Sequence, residues 1–258
     1  MDSTSLISKQ RIQTYKKFTK DDEKAIELHN LTMQVGSSLM AVIALIELAM
    51  RNSINDQIIN DFGEHEWMRS PPENIRFKPQ DKSLIRTAER HAKKAAYSKL
   101  SHKDKKAIDV KLFPHGISET ETHERISIAR RNQMEVSQGQ VISQTSILFW
   151  KRLFSNEYEK MLWKPSLKKI FPLKHIKRSD VSSHLEIIYS ARNRVAHHEP
   201  IYGARLNEVF NAIIYLREHL GKVKPSVQGP LYRFTEIQFH RLYIDYTSFN
   251  RTWLLLQD

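Results

Sequence analysis

Apolar residues recur along most of this chain at three- and four-residue intervals, the spacing of one face of an α-helix. Residues 23–33 read as a helix, opened by Asp21, Asp22 and Glu23, acidic residues suited to a first turn. A second helix is expected from Ser37 to about Phe62. Its first half is apolar nearly all round, which predicts a place in the middle of a bundle, and Gly63 suits the position just past its end. Pro71, Pro72 and Pro79 mark a loop, after which residues 81–100 form an amphipathic pattern with Leu84, Ile85, Ala88, Ala92 and Ala95 on one side.

A short helix and turn should occupy residues 103–116, while the polar stretch 119–138 supports no firm element. Residues 139–154 read as a turn entering a helix whose Ile142, Ile147, Leu148, Trp150, Leu153 and Phe154 supply core bulk. Pro165 and Pro172 imply short, bent helices. In the next helix Leu185, Ile188, Tyr189 and Val195 fall near one side, Asp180 or Ser182 can cap the start, and Pro200 forces an end near His197 and His198. Helices over 205–220, closed by Gly221, and 233–256 complete the pattern, with Phe234, Phe239, Tyr243, Tyr246, Phe249 and Trp253 as packing residues. The fold class is therefore all-α, with little or no sheet.

A chain of 258 residues can bury a substantial core. We expect one domain, with a basic helical insertion at 71–138 and a core of residues 139–258 packed with 21–63. Cysteine is absent, which excludes disulfides, a thiolate nucleophile and Cys-ligated zinc. The net charge of +12 favours a polyanionic partner. Much of it lies in residues 76–106, where eleven Lys/Arg face three Asp/Glu. There Lys82, Arg86, Arg90, Lys93 and Lys94 make a stripe on which an RNA backbone could lie. The N-terminal MDSTSLISKQ lacks the basic-then-apolar build of a secretory signal, and the longest apolar run, residues 39–50, is interrupted by Glu47 and short for a bilayer. A cytoplasmic protein without a membrane partner is expected.

Residues 187–201, IIYSARNRVAHHEPI, concentrate the chemistry. Arg192 offers a planar phosphate clamp, His197 a group that moves protons near neutrality, and Asn193 an amide that can orient either. Asn193 and His197 are helical neighbours, whereas Arg192 and His197 stand roughly 140° apart on an ideal helix. They converge if the guanidinium wraps round, if the last turn is distorted, or if a second copy completes the site. These groups suit RNA cleavage by its own 2′-hydroxyl, a route needing no metal or other cofactor and closed to DNA. A metal site on His197 and His198 is disfavoured, since adjacent helical residues diverge by about 100° and no HExxH or DxD pattern supplies further ligands. Nor is there a repeat, a Gly-rich phosphate loop or a dinucleotide fingerprint.

The motif resembles the Arg-x(4–6)-His signature of the HEPN superfamily in its Arg-Asn-x-x-x-His form. Three blocks, ALIELAMRNSI (44–54), GQVISQTSILFWKRLF (139–154) and ARNRVAHHEPIY (191–202), are similar in kind and order to the Abi-like family of bacterial abortive-infection proteins. The resemblance implies a HEPN-type helical bundle, a homodimer that brings two motifs together, and metal-independent ribonuclease activity in anti-phage defence, with an antitoxin or regulatory small RNA as a further partner. It makes Arg192, Asn193 and His197 the expected catalytic residues, with His198, one position further on, as the alternative. Glu47, Arg51 and Asn52 form either a self-contained buried ion pair or a support for the Arg192/His197 cluster. The competing function is a non-cleaving RNA-binding protein or scaffold that carries a small RNA on the same basic surface.

Overall fold

A computed structural model describes residues 7–256 apart from Lys20 and Glu119. The first six residues of the N-terminal stretch read above, Lys20 and the start of the polar stretch at Glu119 lie outside that set. Helices make up 72% of the described residues, which contain no strand, so the fold is all-α. The helices are α1 (Lys9–Thr19), α2 (Asp22–Phe62), α3 (Pro79–Ser98), α4 (His102–Leu112), α5 (His123–Asn132), α6 (Gln138–Ser143), α7 (Ile147–Arg152), α8 (Arg178–Ala196), α9 (Gly203–His219), α10 (Pro230–Phe234) and α11 (Glu236–Leu256). Short 3₁₀ and π turns at Asn156–Tyr158, Glu159–Trp163 and Leu167–Ile170 join α7 to α8.

The axis of the bundle is α2, against which α1, α8, α9 and α11 pack. Asp21 caps it by accepting from the Lys24 N–H at 2.9 Å, and Gly63 closes it at φ 70° while its N–H donates to the Ile59 carbonyl. The two helices expected before and after residue 36 are one, 41 residues long. Gly36 does not break the chain. It is the close-approach point of α8, where a Cβ would stand 3.3 Å from Val195 Cγ1. Nearby hydroxyls are satisfied: Thr32 donates to the Leu28 carbonyl and Ser38 to Asp245.

Continuity also changes the membrane reading. By length and composition α2 could cross a bilayer, contrary to the expectation from residues 39–50 alone. Its Leu39, Val42, Ile43, Ile46 and Met50 are instead buried among the chain's own helices, as in any core helix of this length.

Two further expectations are corrected. Residues 139–154 form two short helices, because the chain turns at Gln144–Ser146 with Thr145 bonded to the Ile142 carbonyl. Their aromatic residues do enter the core: Trp150 and Phe149 lie 6.3 Å from Trp67, and all three are buried. The start of α8 falls at Arg178, ahead of both expected caps, and Lys177 makes no side-chain cap bond. Ionic contacts fix this entry. The Lys168 ammonium donates to the carbonyls of Phe171, Leu173 and Ile176, and Arg178 binds Glu159 and the Phe154 carbonyl.

Of the aromatics expected to pack in the last helices, Phe249 is buried and Tyr246 stacks on Phe210 at 4.0 Å. Phe234 and Tyr243 remain about half exposed.

Candidate active site

Contacts along α2 set the level of every candidate residue. Val195 and Ile201 lie beside Gly36, whereas Leu220, at the far end of α9, lies beside Asn52 and Asp56. So α9 runs parallel to α2, and α8 runs antiparallel to both. The Arg192 to His198 segment thus reaches the N-terminal half of α2.

Helix α8 stays regular up to His197, whose N–H still donates to the Asn193 carbonyl at 3.1 Å. The chain then turns through a left-handed residue, His198, at φ 55°. Its N–H donates to the Val195 carbonyl at 2.9 Å, and the Glu199 N–H reaches the Arg194 carbonyl at 2.7 Å. These two bonds are the Schellman pattern, with histidine where glycine is usual. Arg194, absent from the sequence expectations, clasps this turn by pairing with Glu199 at 3.0 Å and donating to the Pro200 carbonyl. Its position two residues past Arg192, close before the helix-ending proline, is the one sequence signal for that role.

The left-handed turn sends the two histidines to different places. Ala196 stands four residues beyond Arg192, on the same strip of α8, and lines an open groove of about 300 Å³ with His198, Met33, Gly36 and Met40. His197 stands four beyond Asn193, on the neighbouring strip, and its side chain is exposed. Of the three ways for Arg192 and His197 to converge, distortion before His197 is absent. Within one chain His198 shares a groove with Ala196, and His197 stays on the Asn193 strip. Arg192 is half-buried and, among the described residues, has neither an ion pair nor a hydrogen-bond partner.

Glu47 and Arg51 form an ion pair at 2.8 Å, each side chain less than a fifth exposed, and Arg51 Nε is buried without a partner among the described residues. Glu47 lies seven residues from the groove residue Met40, nearly in line with it on α2. Measured by helical rise, Glu47 stands about 12 Å beyond the level of Arg192. Side chains lean toward the N-terminus of their own helix, so on these antiparallel helices Arg192 and Glu47 lean toward each other. No hydrogen bond or ion pair joins them among the described residues. Asn52 is not brought to the cluster. It faces a different groove, with Ser53, Asp56, Leu220, Pro230 and Phe234.

The basic stripe also stands apart from the motif. Lys82, Arg86, Arg90 and Lys94 are exposed on α3, while Lys93 is partly covered and pairs with Glu89 at 3.0 Å. α3 packs on α5, α6 and α7. Through Gln138 at the start of α6, this lobe meets Asn55 of α2, about 28 Å along the helix from Gly36.

Behind the motif, α8 and α9 meet through aromatic rings: His184 lies 3.9 Å from Tyr215, which lies 4.4 Å from His219. His184 Nδ1 and the Tyr215 hydroxyl are buried without partners among the described residues. Burial lowers the His184 pKa, with Asp180 acting in the opposite sense, and burial together with Asp180 pushes Tyr215 up to about 12. The folded protein therefore holds His184 neutral while the unfolded chain takes up a proton. Stability is full above the ordinary histidine value and is lost as pH falls below it. The melting temperature should drop on going from about pH 7.5 to about pH 5.5, across that ordinary value, and drop less in His184→Leu. Parallel pH curves for the two proteins would rule out this origin.

Among the described residues no three His, Cys, Asp or Glu side chains gather as a metal ion requires. Compared with models of known families, with curated proteins and with solved structures, the chain matches none.

Proposed function

We propose that this chain is a metal-independent endoribonuclease of the Abi-like, HEPN type, acting in bacterial anti-phage defence. The observation that carries the reading is the end of α8, where Arg192, without an ion pair or hydrogen bond among the described residues, is followed within two turns by two exposed histidines, His197 and His198, the second lining an open groove. A guanidinium and imidazoles at one accessible helix end suit transesterification at phosphorus.

In the proposed reaction one imidazole removes the proton of the ribose 2′-hydroxyl, and the 2′-oxygen bonds to phosphorus. Arg192 stabilises the added charge on the phosphorane. The bond from phosphorus to the 5′-oxygen breaks, and an imidazolium returns a proton to that leaving oxygen. The products are a 2′,3′-cyclic phosphate and a 5′-hydroxyl. His198, which lines the groove, is assigned the proton transfer beside Arg192. His197, with Asn193 to orient it, serves the second proton transfer, across a homodimer in which two helix ends face each other. Glu47, paired with Arg51 and leaning along α2 toward the level of Arg192, is assigned the part of a supporting carboxylate.

The second reading, a non-cleaving RNA-binding protein, draws on the exposed stripe of α3, which lies far from the motif. Incubation of the purified protein with matched RNA and DNA strands in excess EDTA separates the two. Cleavage of RNA alone supports the enzyme. Cleavage that needs an added divalent ion, or that extends to DNA, contradicts the mechanism.

A further inference from the structure

We infer that the groove between α3 and α5 is an exosite that holds the sugar-phosphate backbone of a long RNA while the scissile bond lies at the distant end of α8. This rests on the ribonuclease reading above and adds the class of RNA that is taken.

Lys82, Arg86, Arg90 and Lys94 follow one another at four-residue steps, about 6 Å each along the helix. All four are exposed, and none pairs with a carboxylate among the described residues. Beside them lies a groove of about 390 Å³ lined by Arg86, Arg90 and Lys93 with Ser83, Thr87 and Asn132. The single carboxylate there, Glu89, is already paired with Lys93. Guanidinium, ammonium, hydroxyl and amide donors are the set that binds phosphate oxygens and ribose. No aromatic side chain lines the groove, so bases have nothing to stack on. Recognition is then of the backbone, independent of sequence and sensitive to salt.

Distance supplies the rest. The lobe meets α2 at Asn55, about 28 Å by helical rise from the Gly36 level at which α8 ends. An RNA confined to the motif cannot reach the stripe of the same chain. One long enough to span both gains affinity without any change at the reacting phosphate.

The test compares a trinucleotide with a long RNA carrying the same scissile step, using the full chain and the triple variant Lys82→Glu, Arg86→Glu, Arg90→Glu. These side chains are exposed and unpaired, and an unchanged melting temperature confirms the fold. The ratio of kcat/KM for long over short RNA should fall about tenfold or more in the variant, mainly through KM. The salt slope of long-RNA binding should flatten by about three. A ratio that stays the same, because both substrates suffer equally or neither does, overturns the exosite. If the wild type cuts neither RNA, the ribonuclease reading fails and binding alone decides the groove. Loss of salt-sensitive binding in the variant then supports a backbone site, and full retention overturns it.

Discussion

Arg192→Ala is expected to lower RNA cleavage about 10²–10³-fold, the usual cost of removing one preorganised donor from a developing anion. Its melting temperature should stay near that of the wild type, because Arg192 has no ion pair or hydrogen bond among the described residues for the fold to lose. Lysine at this position keeps the charge without the planar fork, so Arg192→Lys should recover only part of the rate.

His198→Gly makes the companion experiment unusually clean. A left-handed backbone costs a side-chain-bearing residue roughly 1–2 kcal/mol, a strain that glycine does not carry. The variant should therefore be more stable, by about 1 kcal/mol, while its cleavage falls about 10²–10⁴-fold with the imidazole gone. His197→Ala should lose no more than His198→Gly. The opposite order would move the chemistry to the Asn193 flank and to the histidine that sequence spacing favours.

The largest stability effect is expected at Asp81. Its carboxylate is fully buried, accepts from the Arg152 guanidinium and, at 2.5 Å, from the Tyr158 hydroxyl, which in turn accepts the Lys78 N–H at 3.1 Å. This network ties the start of α3 to α7 and to the turn that follows it. Burial and the bond to Asp81 raise the Tyr158 pKa, so its hydroxyl is held as a donor.

Asp81→Ala leaves a partly buried guanidinium with only Glu157 at 3.7 Å and orphans a buried phenol. Breaking one side of such a pair costs about 3 kcal/mol. For a chain of this size that corresponds to a melting temperature lower by about 6–12 °C. The double variant Asp81→Leu, Arg152→Met should recover much of it, since an apolar pair needs no hydrogen-bond partner. A single-variant shift below about 2 °C would show that the network carries little of the fold.

What could be read along the chain and what could not divide on physical lines. Local signals were sufficient where local chemistry decides: Asp21 caps α2, Gly63 and Gly221 end helices with positive φ, and the amphipathic pattern located α3 with its exposed cations. The continuity of α2 through residues 34–36 was not legible, because a glycine inside a helix looks the same whether it breaks the chain or admits a neighbour. Only the approach of Val195, far away in sequence, distinguishes the two.

The same limit hid the Asp81 network, whose partners lie more than seventy residues further on. At the candidate site the residue types and their place at the helix end were legible. The left-handed turn at His198 was not, because a histidine in that conformation has no local signature of the kind glycine provides. Asn52 was grouped with Glu47 and Arg51 by sequence adjacency, yet successive helical residues diverge by about 100°, and it faces another groove.

The most direct measurement is the chemistry of the cut ends. RNA treated with purified protein in excess EDTA should yield upstream fragments whose masses carry a 2′,3′-cyclic phosphate, downstream fragments with a free 5′-hydroxyl, and about 10²–10³-fold less of both from Arg192→Ala. Fragments ending in a 3′-hydroxyl and a 5′-phosphate, or equal yields from Arg192→Ala, would contradict the account.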